Sequence, residues 1–238
     1  MRRLITGNRG FIGSGLTGDG IDLKDGVDIR TYKGGRNYDV VVHTAALVSV
    51  TASMDNPEEY FSTNIEGTLN MVRQHPEAHF VYLSTAGVYG EGVDHTVKSP
   101  TLPTSIYAWT KLMGEVIIQA YAKSYSILRL TNVIGPGERG EPNVYHIFEK
   151  SDIIPVYGDG LQTRDFVSVD RVREVIELFC HQPFGFKRKD IVNVGSGVRK
   201  TVLDVAREFN KPIKFLPERP GEIKHFGVAD AFHYSSKS

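Results

Sequence analysis

The 238-residue sequence contains one cysteine, Cys180. A single thiol cannot close an intramolecular disulfide, which excludes a disulfide-stapled fold and any multi-cysteine zinc or iron–sulfur centre. Neither sign of charge is in excess: 28 Lys and Arg face 28 Asp and Glu, for a net charge of zero. A protein that coats nucleic-acid phosphates carries a basic surplus, so nucleic acid is not an expected partner. No apolar run approaches the ~20 residues that cross a bilayer. The opening Met1-Arg2-Arg3-Leu4-Ile5-Thr6-Gly7 lacks the apolar core of a secretory leader. The expectation is a cytoplasmic protein with no membrane partner. The eight histidines are scattered, with no metal-ligand spacing. Glycine, in contrast, is plentiful at 24 residues, and its placement is informative.

The apolar run Leu4-Ile5-Thr6 leads directly into Gly7-Asn8-Arg9-Gly10-Phe11-Ile12-Gly13, a G-x-x-G-x-x-G pattern. Glycines at a strand-to-helix turn let the backbone approach a pyrophosphate, whose charge meets free N–H groups. A ligand-free glycine turn has the same pattern, and only the position just after the first strand favours the functional reading. The helix that should follow for about three turns is interrupted at once by Gly15, Gly18 and Gly20. A second strand is expected over Gly20–Leu23, with Asp22 as the ribose-binding acid. Asp22 lies only nine residues beyond Gly13, against the usual ~20.

Continuous β-branched or apolar runs predict buried parallel strands at Asp39–His43, His79–Leu83 and Tyr125–Leu130. Helices are expected from Asn56 to about Gln74, with Pro57 at the first helical position, and from Ser105 to Lys123. In the second helix, Ile106, Met113 and Ile117 are read as the core-facing stripe. Beyond Gly135 the pattern predicts a helix over 144–150, an edge strand over 153–157, a helix over 170–181, a strand at Ile191–Val194 and a helix from Thr201. The expected fold is α/β: a doubly wound parallel Rossmann sheet with a small C-terminal substrate-binding lobe. Residues 1–135 would form the dinucleotide domain, joined by a returning strand near 165–194. Residues 136–238 would form most of the interleaved lobe.

Tyr107 and Lys111 stand at i and i+4 on the second long helix, so they share a face. An ammonium beside a phenol favours the phenolate and makes Tyr107 a usable general base. Ser84-Thr85 falls at the carboxyl end of a predicted parallel strand, where ligands of open α/β sheets bind. A lone Tyr/Lys pair is common, but three motifs in this chain order reinforce one another.

The segments TGNRGFIG, DVVVHTAA, TNIEGTLN, VYLSTAGVYG, YAWTK, LRLTNVIGPG, GDGLQTRDFVSVD, NVGSG and RPGE resemble the extended short-chain dehydrogenase/reductases of the nucleotide-sugar epimerase/dehydratase family. The resemblance implies that Gly7, Gly10, Phe11, Ile12 and Gly13 hold the cofactor pyrophosphate. Asp28 and Ile29 would contact adenine, and Ala45 and Ala46 would line the cofactor pocket. It implies a catalytic set of Thr85, Tyr107 and Lys111, with Tyr107 as acid/base. Thr85 would share the substrate hydroxyl, and Lys111 would hold the nicotinamide ribose. Asn132, Asn143, Arg164 and Arg219 match substrate-binding positions. Plainer readings stand beside these. Arg164-Asp165 reads also as a structural ion pair, Asn132 as a turn cap, His43 as core and Cys180 as a packed thiol.

Members of that family share an opening oxidation of a sugar hydroxyl. The 4,6-dehydratase branch carries an Asp-Glu pair after the catalytic Thr, whereas Ala86-Gly87 stands here. The resemblance then favours a 4-epimerase, with an NADPH-dependent keto-sugar reductase or a non-catalytic dinucleotide-binding module as alternatives. Asp22 favours NAD, while Arg9, Lys24 and Arg30 leave NADP open. A nucleotide sugar is the expected substrate. The resemblance also implies a homodimer formed through the 57–74 and 105–123 helices.

Overall fold

The computed structural model describes residues 1–136, 144–181, 188–218 and 224–232. The chain opens with β1 (Arg3–Thr6), whose glycine-rich sequel makes a single 3₁₀ turn over Gly13–Gly15 before β2 (Asp19–Ile21). β2 ends one residue before Asp22, which caps a further short turn. No strand lies between Ile21 and β3 (Val40–His43), which is buried along its whole length.

α1 (Val50–Asp55) begins at Ser49, whose hydroxyl accepts from the Ala52 N–H. A second helical run follows from Pro57. Its first part is α2 (Pro57–Tyr60), its middle widens into a π turn over Phe61–Glu66, and it ends as α3 (Gly67–Gln74). β4 (His79–Thr85) then enters the core. The polar stretch after it contains β5 (Gly92–His95). Ser105 caps α4 (Ile106–Tyr121), and β6 (Ser124–Leu130) follows.

β1, β2, β3, β4 and β6 belong to one parallel sheet. Its far edge is supplied much later in the chain. Between come β7 (Asn132–Ile134), α5 (Val144–Lys150), β8 (Ile154–Tyr157), β9 (Thr163–Ser168) and α6 (Val169–Cys180). β10 (Lys189–Val194) then pairs in parallel with β6, completing the six-stranded order β10-β6-β4-β3-β1-β2. β11 (Arg199–Thr201), α7 (Val202–Glu208), β12 (Ile213–Leu216) and β13 (Phe226–Val228) close the chain. They build three small sheets: β11-β9-β7, β12-β8 and β13-β5.

One face of the main sheet packs Leu4, Val41, Phe80 and Ile127 against Met71, Val72, Ile117 and Ile118 of α3 and α4. The other packs Ile5, Val42, Val81 and Leu128 against Val172, Val175, Ile176 and Phe179 of α6. Helices on both faces make this the expected Rossmann-like α/β fold. The expected stripe on α4 needs correction. Met113 is 43% exposed, and Trp109 and Val116 are each 50% exposed. Ile117 does face the core as expected, but with Ala108 and Ile118 beside it rather than Met113. Apolar residues occupy both sides of α4, so apolar spacing alone did not identify the buried one.

Candidate functional site

The strand order reverses between β1 and β3: the chain leaves β1 outward to β2, then crosses back to β3. A crevice at the carboxyl ends of such strands is the usual ligand position. A cavity of about 1380 Å³ opens there. That exceeds the roughly 300–1,000 Å³ of a single small-ligand pocket, leaving room for a dinucleotide and a second ligand together.

The glycine loop forms one wall. Gly7 adopts φ +68°, and a Cβ there would sit 2.9 Å from Ala45. A Cβ at Gly13 would lie 2.3 Å from the Gly7 carbonyl oxygen. Only glycine fits either position, and the backbone stays bare where a ligand approaches. Gly10 lines the cavity with Phe11 and Ile12, and Gly13 stands behind them in the turn. Asp22 reaches back to the loop: its carboxylate accepts from the Arg9 N–H at 3.0 Å and the Lys24 N–H at 2.9 Å. Arg9 pairs with Asp25. Asp28 is bound by Arg30 at 2.5 Å, which holds its carboxyl below the usual range. Asp28, Ile29, Ala45 and Ala46 complete this half of the lining.

Thr85, the last residue of β4, and Tyr107, in the first turn of α4, face the other half. Burial pushes the Tyr107 phenol up to about 12, against the lowering effect of hydrogen bonding to Thr85. The Thr85 hydroxyl also accepts from the Gly87 N–H at 3.1 Å. Lys111 is buried below the cavity floor, 4% exposed, with its ammonium 4.4 Å from the Tyr82 ring centre. Burial pulls it down to about 7, opposed by the charge of Glu115. The expected lowering of the phenol by the lysine is therefore reversed: desolvation dominates at both groups and favours their neutral forms.

A profile of the NAD dependent epimerase/dehydratase family matches residues 17–195. The chain belongs to that family. It is 32% identical to a putative UDP-glucose 4-epimerase of Methanocaldococcus jannaschii, over 92% of this chain and 77% of that protein. It is 30% identical to a trifunctional UDP-glucose 4,6-dehydratase/UDP-4-keto-6-deoxy-D-glucose 3,5-epimerase/UDP-4-keto-L-rhamnose-reductase of Arabidopsis thaliana, over 82% of this chain. The chain spans about a third of the length of that enzyme (32%). The UDP-glucose 4-epimerase of Thermus thermophilus, solved with NAD, superposes with a TM-score of 0.82 at 27% identity, covering 97% of this chain and 91% of that one.

NAD is thus the cofactor of this family member, and the bare glycine cradle fits it. Asn132 and Arg164 also line the cavity. Asn132 donates to the Asp165 carbonyl at 3.3 Å, and Arg164 donates to the Thr163 carbonyl at 2.9 Å. Asn143 and Arg219 lie outside the described residues.

Two residues without an assigned role emerge in the supporting shell. Asn64, buried in the π turn, donates to the Leu47 carbonyl and to Thr110 Oγ1, both at 3.0 Å, and accepts from the Leu47 N–H at 2.9 Å. Thr110 in turn donates to the Tyr107 carbonyl at 2.8 Å. Asn64 therefore ties the segment after Ala45-Ala46 to the helix that carries Tyr107. A π turn at such a place suits a functional site; the only sequence sign of it was the TNIEGTLN run.

The second is His43, whose ring Nδ1 lies 2.8 Å from Thr6 Oγ1 and Nε2 3.0 Å from Thr68 Oγ1. Thr68 spends its proton on the Asn64 carbonyl, so Nε2 donates to Thr68. Thr6 accepts from the Ala45 N–H and gives its proton to Nδ1. This arrangement suits a neutral imidazole. Burial and the Lys111 charge hold His43 down at about 3.

Proposed function

We propose that this family member is an NAD-dependent nucleotide-sugar 4-epimerase. The observation that carries the reading is where the carboxylates of the cavity lie. Among the described residues its acidic lining is Asp22, Asp28 and Glu59. Asp22 serves Arg9, and Asp28 and Glu59 surround Arg30. None lies beside Thr85, which is followed by the buried Ala86 and by Gly87. Elimination of water needs a further acid/base pair at the sugar, whereas inversion needs one group that takes a proton and returns it.

In this reading Gly7, Gly10, Phe11, Ile12 and Gly13 receive the pyrophosphate. Asp22 accepts from the ribose, and Asp28, Ile29, Ala45 and Ala46 enclose the adenine half. NAD supplies the hydride acceptor and, on the return, the donor. Thr85 holds the C4 hydroxyl and Tyr107 takes its proton, then gives it back after the keto sugar has turned over. Lys111, one turn after Tyr107 on the same helix, holds the nicotinamide ribose, and only its protonated form, which burial disfavours, would help the phenol ionise. Asn132 and Arg164, with Asn143 and Arg219, hold the nucleotide sugar, the guanidiniums matching its diphosphate.

The test is to denature the purified protein, identify the released nucleotide, and screen UDP-, GDP- and dTDP-sugars by NMR. C4 inversion without loss of water or consumption of NAD is expected. A 4-keto-6-deoxy product would refute the reading.

The same reading includes a homodimer. Trp109, Met113, Val116 and Tyr121 of α4 are each 43–50% exposed, beside Phe61 at 42%. A helix–helix interface between two copies would cover them. Sedimentation showing only monomer at high concentration would count against it.

A further inference from the structure

The turn after the glycine loop is short. Gly15 N–H reaches the Ile12 carbonyl at 3.4 Å and Leu16 N–H reaches the Gly13 carbonyl at 3.1 Å. At Leu16 the backbone is extended, with φ −101° and ψ 151°. A longer helix would brace this loop through the following turns, and here those turns do not exist. The brace comes from 161 residues away. Arg173 of α6 donates from Nη2 to the Phe11 carbonyl at 2.8 Å and from Nε to the Ile12 carbonyl at 3.2 Å. Its remaining arm, Nη1, binds Asp170 at 3.2 Å.

Two features mark this contact as built. The guanidinium lies where a side chain on Gly15 would be: a Cβ there would sit 2.3 Å from both Cζ and Nε of Arg173. The helix that carries Arg173 is fixed, since Val172, Val175 and Ile176 on either side of it are at most 1% exposed.

The peptide unit is planar and trans, so the carbonyl of one residue and the N–H of the next point in opposite directions. Holding the Phe11 and Ile12 carbonyls toward α6 therefore aims the Ile12 and Gly13 N–H groups away from it, toward the side where Phe11 and Ile12 line the cavity. A cation at the carbonyl end of these units also strengthens the positive end offered to an anion.

We propose that Arg173 is a positioning residue for the cofactor. It sets the two peptide units whose N–H groups meet the NAD pyrophosphate, in place of the absent helical turns. This rests on the reading that the glycine loop takes the pyrophosphate.

The experiment compares R173M, R173K and G15A with the parent, all stripped of nucleotide. NAD affinity is measured by calorimetry, and amide hydrogen exchange is followed at Ser14, Gly15 and Leu16. R173M keeps the length of the side chain but loses both donors. It should bind NAD about 10- to 100-fold more weakly, the equivalent of one to two charge-assisted hydrogen bonds, with faster exchange in the turn. R173K restores one donor and should recover part of the affinity. G15A leaves Arg173 in the sequence but displaces it, and should reproduce the R173M loss. The double variant should be no weaker than either single one, because both break the same contact.

NAD binding by R173M within twofold of the parent would overturn the proposal. So would weakened binding with unchanged exchange in the turn, since affinity would then be lost without loosening it. If R173M does not fold, G15A decides by the same criteria. Failure of the parent itself to bind NAD would instead sink the cofactor reading of the loop.

Discussion

Glu115 and Arg129 form an ion pair deep in the molecule, with Glu115 fully buried and Arg129 5% exposed. Arg129 gives Nε to Glu115 Oε1 at 3.0 Å and Nη2 to Oε2 at 2.7 Å. Ser84 donates to the same carboxylate at 2.5 Å, and Arg129 Nη1 donates to the Tyr89 hydroxyl at 2.9 Å. Glu115→Ala would remove the only carboxylate among these partners and strand a guanidinium in the core. Breaking a buried pair from one side costs about 3–5 kcal/mol, out of a total stability of about 5–15 kcal/mol. For a chain of this size each kcal/mol moves the midpoint by ~2–4 °C, so a fall of roughly 10 °C is expected by calorimetry. Replacing both partners, as Glu115→Met with Arg129→Met, should recover much of it, because no charge is then left unpaired. Glu115→Gln keeps an acceptor for Ser84 but removes the charge that favours protonated Lys111. It should lower the lysine pKa further and move the pH–rate profile accordingly. A Glu115→Ala variant within about 1 kcal/mol of the parent would refute the argument.

Three further outcomes follow from the same geometry. Tyr107→Phe removes the proposed acid/base group and should reduce turnover by about 10²- to 10⁴-fold; full turnover on the true substrate would end the catalytic assignment. His43 and His79 are held at about 3 and about 4, below their ordinary 6.5, chiefly by burial. Their neutral forms are present in both states above pH 6.5, and the stability that depends on them is lost as pH falls from there toward 4 and 3. Urea midpoints should drop across that window, with a shallower slope in His79→Gln, and an unchanged slope would contradict the assignment. Burial pushes the Cys180 thiol up to about 12, so native protein should resist a thiol reagent that labels it fully in denaturant; fast native labelling would show the thiol to be accessible.

The main sheet was legible because its strands are continuous apolar runs. Val40–His43 and Phe80–Leu83 are buried without interruption, the pattern of a strand covered on both faces. The small sheets were not. β7 and β11 have three residues each, and β9 carries Thr163, Arg164 and Asp165 in its first half. Their pairing is decided by distant partners rather than local preference. Most residues expected at the site line one cavity, because strand ends and the loops after them converge by topology. Lys111 was placed on the right helix but not at the right depth, since i,i+4 spacing fixes a face and says nothing about what covers it. Asn64, Arg173 and Glu115 act through contacts 14 to 162 residues apart; the TNIEGTLN run includes Asn64 but gives no sign of its partners, and no local pattern announces the other two.

The place of β10 bears on how the chain is made. It pairs with β6 across residues 131–188, so the edge of β6 has no partner until that intervening segment has been synthesised. A nascent chain exposes a parallel-sheet edge bearing Leu128 and Leu130 throughout this interval, and such edges recruit other chains. Long-range parallel pairing is also slow to form. Expression yield should therefore be limited by events late in synthesis, and any truncation before Lys189 should be recovered as aggregate, however complete its glycine loop and the helix that carries Tyr107.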